Sequence, residues 1–454
     1  MSNSFPSSWQ IMALEDCMAV IIDYRGKTPR KVDFGVPLIT AKIIKNGRIG
    51  AIEEYIAIED YDTWMSRGFP TIGDVVMTTE GPLGEVAQLD GRKVALGQRV
   101  ITLRGYSKVL DNTFLKFQMM SSYVQDQLLA RSTGTTVQGI RQSELRKINL
   151  VIPPLSEQQA IAHILSSLDD KIELNQQMNE TLEGIARALF KSWFVDFDPV
   201  RARIEGRQPH GMSAEVTELF PDEFEESTLG RIPSGWKVDI LNNLTAFVLG
   251  GDWGSSTLTE EASNAAFCIR GADIPDLQFA RVAKMPIRYL KTSSLGKREV
   301  QSGDIVIEIS GGSPTQSTGR PVLITDKMIE RYQYPVVCSN FCRMLRVKNC
   351  VSPKYVYFLL RGLYDSGALL QYENGTTGIK NFAYNVFSKN HKLVIPPVHL
   401  LKHFEQAVDA FFEKREANGA EQETLLALRD TLLPKLLSGA IRVKDAEKAV
   451  ESVL

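Results

Sequence analysis

Val151-Ile152-Pro153-Pro154-Leu155-Ser156-Glu157-Gln158 closes a strand-like run with two prolines and opens a long amphipathic stretch. The same change recurs 243 positions later, where Val394-Ile395-Pro396-Pro397-Val398 leads into a second such stretch. Proline is tolerated before a helix or in its first turn but not deeper, so both pairs fix where a helix can begin. Ser156, with Glu157 and Gln158, offers a start for the first helix. In residues 155–194 apolar side chains recur at Ile161, Leu165, Leu168, Ile172, Leu182, Ala186 and Leu189, in alternating steps of four and three. That is a heptad seam, and Asn175 and Asn179 interrupt it. The same register in the second copy falls on Phe404, Val408, Phe411, Arg415, Leu425, Arg429 and Leu432, with Asn418 and Gln422 at the interruption. Pro434 predicts a kink near the end of this second helix, and Gly439 closes it.

Outward from the helices the chain is a duplication. Pro6-Ser7-Ser8-Trp9 returns as Pro233-Ser234-Gly235-Trp236, 227 positions on. Gly73-Asp74-Val75-Val76 returns as Gly303-Asp304-Ile305-Val306 at 230, Leu103-Arg104 as Leu345-Arg346 at 242, and Gly134-Thr135-Thr136 as Gly375-Thr376-Thr377 at 241. An offset that drifts while the order holds is what small loop insertions leave behind. Each copy starts with about 150 residues of short Val/Ile/Thr/Tyr segments punctuated by glycine and proline, read as strands over 74–79, 98–103, 304–309 and 341–347. Helical stretches cover 112–131 and 353–370. The expected fold is α+β: two mixed α/β domains joined by two long antiparallel, coiled-coil-like helices in a pseudo-two-fold repeat. The alternative is two ordinary amphipathic helices, each packing on its own domain. The boundaries read as a first domain over 1–152, a helix over 153–197, an acidic linker over 198–232, a second domain over 233–396, a helix over 397–440 and a tail over 441–454.

Composition narrows the class. No apolar run is long enough to span a bilayer, the first ten residues lack the pattern of a signal peptide, and five cysteines, odd in number and scattered, suit a reducing cytoplasm. A net charge of −2 is unusual for a lone nucleic-acid binder, but charge is locally sorted. Residues 23–49 hold seven basic side chains against two acidic, residues 281–298 hold six basic and no acid, and residues 198–231 hold eight acids and four arginines. Catalytic signatures are incomplete. Both Pro-Pro pairs follow isoleucine, so neither can polarise a base amine for methyl transfer. Gly26-Lys27-Thr28 lacks the first glycine of a phosphate-binding loop. Asp304 and Glu308 have the spacing of a nuclease carboxylate pair, yet Ser310 stands where a lysine should, and a buried strand with one odd glutamate is simpler. Cys338 and Cys342 with His399 and His403 read as structural residues rather than a zinc site.

Three stretches carry a family resemblance. Ile152-Pro153-Pro154-Leu155-Ser156-Glu157-Gln158 with Leu168-Asp169-Asp170-Lys171-Ile172, and then 188–200 (Ala-Leu-Phe-Lys-Ser-Trp-Phe-Val-Asp-Phe-Asp-Pro-Val), resemble the central conserved region of specificity subunits of type I restriction-modification systems. Residues 428–439 resemble the distal one. The resemblance implies a non-catalytic subunit whose two target-recognition domains each read one half of a bipartite double-stranded DNA target. It further implies helices that set the spacer and dock two methyltransferase subunits, with restriction subunits joining them. No cofactor is then expected in this chain: S-adenosylmethionine belongs to the methyltransferase partner, ATP and magnesium to the restriction partner. A protein–protein scaffold of two globular domains on a helical stalk is the competing reading.

Base and phosphate contacts need basic and polar side chains on exposed loops. In the first domain these are Arg25, Lys27, Thr28, Arg30 and Lys31, then Lys42, Lys45, Asn46 and Arg48, the turn at Thr78 and Thr79, and the loop with Thr135, Thr136, Gln138 and Arg141. In the second they are Arg270, Ser310, Ser313, Gln316 and Arg320, and Thr376, Thr377, Lys380 and Asn381.

Overall fold

A computed structural model of the chain describes residues 5–26, 28–311, 316–376 and 379–453. The chain divides into two compact units, Met1–Ile172 with Thr424–Leu454, and Glu173–Glu423. Among the described residues no helix is long and apolar enough to cross a membrane.

The first unit is built on an antiparallel sheet in the order Met18–Asp23, Val100–Gly105, Val75–Thr79, Leu83–Gln88. A smaller mixed sheet carries Ala95–Leu96, Val36–Ile39, Tyr55–Ile56 and Lys31–Val32. The second unit repeats the plan. Its antiparallel sheet runs Thr245–Gly250, Cys342–Val347, Ile305–Glu308, Pro321–Leu323, and its smaller one Ile287–Leu290, Asn264–Ile269, Val336–Cys338. In both, a two-stranded pairing hands the chain to a long helix: Gln10–Ala13 on Asn149–Ile152, and Lys237–Ile240 on Lys392–Ile395. The repeat extends to side chains. Arg104 grips the buried Asp74 at 2.6 and 2.7 Å, and Arg346 grips the buried Asp304 at 2.8 and 2.8 Å. In each pair the hydrogen bonds to the carboxylate hold the guanidinium above its ordinary pKa. A buried carboxylate is tolerated when it is paired and hydrogen-bonded, so the Gly-Asp and Leu-Arg motifs recur together.

The two helices run Leu155–Phe194 and Val398–Ser438. The first begins one residue before Ser156, because the Pro154 carbonyl already accepts from the amides of Glu157 and Gln158. The second stays helical through Pro434 and ends in a Schellman motif. Gly439, at φ 72°, donates to Leu436, and Ala440 donates to Lys435. The helices pair antiparallel. Asp169 meets Arg429 in the first unit. In the second, Asn175 meets Glu421, Asn179 meets Asn418 and Glu183 meets Arg415, so partners descend on one helix as they climb on the other.

Three of the expected features change. Past Asn179 the buried positions of the central helix are Glu183, Ala186, Phe190, Trp193 and Phe194, so Leu182 and Leu189 lie one residue off the seam. A straight helix drifts against a strict heptad, and the drift brings Glu183 to Arg415. The stretch 112–131 is two helices, Asn112–Met120 and Ser122–Ala130, broken at Ser121, whose hydroxyl caps the second. Finally, residues 198–232 hold two helices, Asp198–Ile204 and Ala214–Thr217, and a strand pair, Phe224–Ser227 with Gly230–Pro233. Val200 and Phe220 are fully buried in the core of the second unit, with Phe220 edge-on to Trp193 at 5.3 Å. The acids of this stretch are largely on its surface, while its apolar residues anchor it.

Candidate nucleic-acid interface

In the second unit, sheet edge and loops enclose an open cleft of about 640 Å³ lined in part by Arg270, Ser310, Gln316 and Arg320, four residues expected from sequence. Strand Ile305–Glu308 delivers Glu308 to the cleft. Gly271 approaches it so closely that a Cβ there would lie 2.2 Å from Glu308 Oε1. Arg320, itself buried, places Nη2 3.4 Å from Glu308 Oε2. Burial lifts the Glu308 carboxyl above its ordinary 4.5, Arg320 pulls the other way, and Glu373 adds to the rise. Arg270 is clamped by Asp273 at 2.9 and 2.8 Å and donates to the Lys284 carbonyl, which leaves its side chain partly open to the cleft. Trp253 and the exposed Phe341 supply apolar lining. The Ser310 turn and the 374–381 loop, distant in sequence, meet in a three-stranded sheet of Ser310–Gly311, Ile379–Phe382 and Glu373–Thr376. There Ser310 donates to Asn381 at 2.5 Å, and Lys380 pairs with Glu373 at 3.5 Å and reaches the Gln316 carbonyl.

The first unit has a smaller cleft, about 270 Å³, at the corresponding place: Thr40 and Gly81 line it where Arg270 and Gly311 line the other. Thr28, Lys31 and Lys42 also line it, with Glu54, Gln98 and Arg99, which were not expected. Lys31 pairs with Glu54 at 2.9 Å, and Thr28 donates to Gln98 at 3.1 Å. Lys45 and Asn46 stand exposed on a hairpin whose turn, Asn46-Gly47, has φ of 52° and 83°, the geometry that suits a two-residue hairpin loop. Thr135, Thr136 and Gln138 crown an exposed loop closed by reciprocal Thr133 and Gly139 amide bonds. At its base Gly134 is at φ 107°, where a Cβ would strike the Val137 carbonyl at 2.2 Å. Arg30 and Arg141 are exposed.

Some expected residues are spent on the fold. Thr78 and Thr79 are buried inside the sheet, with Thr78 Oγ1 accepting from the Glu85 amide, so the exposed turn begins only after them. Arg48 donates to the Asp169 carbonyl at 2.6 Å and Arg25 to the Ile140 carbonyl at 2.6 Å. Arg320, in the loop just before strand Pro321–Leu323, is buried as a partner of Glu308. Lys27, Ser313 and Thr377, and the side chain of Thr376, lie outside what the structure describes. Trp253, Glu308, Asn340 and Phe341 join the cleft without having been expected there. A charge ending the apolar run Ile305-Val306-Ile307 was the one available signal. Cys338 and Cys342 are buried, and burial pushes the Cys342 thiol up to about 12. No group of three or more His, Cys, Asp or Glu among the described residues could hold a metal ion.

Two copies of one α+β module, each with a polar cleft at the same place, and paired long helices define a duplicated protein of mixed helix and strand. Residues 6–184 match the family described as the type I restriction modification DNA specificity domain. The specificity subunit of the type I restriction enzyme HindI from Haemophilus influenzae is 28% identical over 352 residues, covering 69% of this chain and 73% of that one. The MjaIX specificity subunit of Methanocaldococcus jannaschii is 26% identical over 461 residues, covering 97% and 95%. A crystal structure of the S subunit of a type I restriction-modification system from M. genitalium shares the fold, with a TM-score of 0.52 and 16% identity over 96% of this chain and 97% of that one. Residues 6–184 thus match a type I restriction modification DNA specificity domain, and the chain as a whole is similar to specificity subunits of type I restriction enzymes.

Proposed function

We propose that this chain is the DNA-reading, non-catalytic subunit of a type I restriction-modification complex, each unit reading one half of a bipartite target. One observation carries the reading: the repeat places a cleft at the same position in both units but lines it differently. Glu308 and Arg270 stand in the second where Thr78, buried, and Thr40 stand in the first. Equivalent placement with different chemistry is what two unlike half-sites require, because base identity is read by side-chain donors and acceptors. The paired helices set the spacing between half-sites and dock two methyltransferase subunits, with restriction subunits joining that core. Methyl transfer then draws on S-adenosylmethionine held by the methyltransferase, and translocation and cleavage on ATP and magnesium held by the restriction subunit.

The test is a domain exchange read by methylome mapping. Residues 1–150 are replaced by those of a relative and the chain is expressed with its methyltransferase. One half of the methylated motif is expected to change and the other to stay. A change in both halves, or wild-type methylation without a motif, sinks the reading.

A further inference from the structure

Glu308 is a carboxylate whose setting the fold alone does not explain. It ends an apolar strand, is 4% exposed, and among the described residues its side chain has one polar partner, Arg320 at 3.4 Å. That distance is too long for a strong charge-assisted bond, so Oε1 is left with acceptor capacity. Burying an ionisable group so thinly partnered is expensive. The backbone makes room for it: Gly271 and Gly311 flank it, with Cβ positions 2.2 and 3.3 Å from Oε1. It shares its cleft with Trp253 and Phe341, two aromatic residues open to solvent, and with Arg270, whose geometry Asp273 fixes. The counterpart in the first unit, Thr78, has its hydroxyl committed to the Glu85 amide. The acceptor therefore belongs to one unit only.

We propose that Glu308 is a specificity-determining residue of the second unit, accepting a hydrogen bond from the exocyclic amine of one DNA base, cytosine N4 or adenine N6, that enters this cleft between Trp253 and Phe341. The inference rests on the DNA-reading function above. A carboxylate accepts and cannot donate while ionised, so it selects amine-bearing edges and repels the keto oxygens of guanine O6 and thymine O4. Arg320 beside it opposes the rise that burial imposes on the carboxyl. The apolar faces of Trp253 and Phe341 suit the plane of a base.

The experiment uses the full chain in complex with its methyltransferase and duplexes carrying the target mapped for the wild type. In each duplex one adenine is replaced by purine, or one cytosine by 2-pyrimidinone, deleting a single amine. For the wild type, one deletion in the half-site read by the second unit is expected to weaken binding by about 10-fold or more. In Glu308→Ala the same deletion is expected to have no effect. Glu308→Gln, which keeps the shape and loses the charge, should show a reduced effect at that same position. If Glu308→Ala fails to fold, judged by its melting curve, the Gln variant decides. Should either folded variant discriminate every amine as the wild type does, the assignment is overturned. Wild-type binding that is indifferent to sequence would instead sink the broader DNA-reading function.

Discussion

Glu308 shows how one side chain couples stability to pH. Its folded-state carboxyl is raised above the ordinary 4.5, first by burial, with Arg320 opposing and Glu373 adding. A carboxyl raised on folding binds its proton more tightly in the folded state, so ionisation costs the fold. Below 4.5 both states are protonated and the cost is absent. It accumulates as pH climbs from 4.5 through the raised value and is constant above it. Replacing Glu308 by glutamine removes this cost. The difference in melting temperature, variant minus parent, is therefore expected to rise in the variant's favour between acid and neutral pH and then level off. A difference that stays flat across that range, measured by thermal melts at closely spaced pH, would show that the carboxyl is not perturbed. Sequence alone reached part of this residue. A glutamate closing an apolar strand was visible, but its neighbours Trp253, Arg270, Arg320 and Phe341 come from four separate segments of the chain, and no spacing rule links them. Thr78 and Thr79 were misread for a related reason: a strand that ends in a glycine-rich turn looks exposed until the sheet is closed over it.

Between elements, the polar layer of the helix pair is where most is at stake. Arg415 is buried with Glu183 at 2.9 Å and Glu416 at 3.4 Å, and Tyr357 donates to Glu183 at 2.7 Å. Asn179 donates to the carbonyls of Arg415 and Phe279 and accepts from Asn418. Removing one member of such a cluster strands its partner's charge. Arg415→Met is expected to destabilise the second unit by about 3–5 kcal/mol. The double variant Arg415→Met, Glu183→Leu should recover most of that loss, because no uncompensated charge remains on the central helix. Chemical denaturation of parent, single and double variants checks this, and a double variant as unstable as the single would refute it. Helix starts, helix ends and the Asn175, Asn179, Asn418 and Gln422 interruptions were legible because proline, glycine and a broken apolar seam are local signals. The shift from Leu182 to Glu183 was not, since it depends on where the facing arginine lies.

At the scale of the whole molecule, the domain limits drawn from composition differ from the compact units. Sequence separates helices from domains at the Pro-Pro boundaries, whereas each unit takes part of both helices. Residues 198–232 looked like a linker because composition averages their acids with the few apolar anchors beneath them. If the helix pair sets the spacing of the half-sites, lengthening one helix alone would break the pairing. Matched seven-residue insertions after Ile172 and after Glu423 preserve the seam and add about 10 Å at roughly 1.5 Å per residue. At about 3.4 Å per base pair, the methylated motif is expected to gain about three base pairs of spacer with both half-sites unchanged. A folded, active insertion variant that methylates the original spacing would show that the helices do not measure it.

The core of the first unit joins Trp9, Leu14 and Phe114 to Leu425, Leu432, Leu436, Ala446 and Val450, and Pro6 and Trp9 lie against Gly439. A ribosome making this chain therefore exposes the first module's apolar surface while all of Glu173–Glu423 is still being synthesised. The second unit has every residue it needs before the first is complete. Order of birth and order of completion are reversed, so the waiting surface becomes the stretch of the nascent chain most in need of a chaperone. A premature stop late in the message would then damage the module encoded at its beginning.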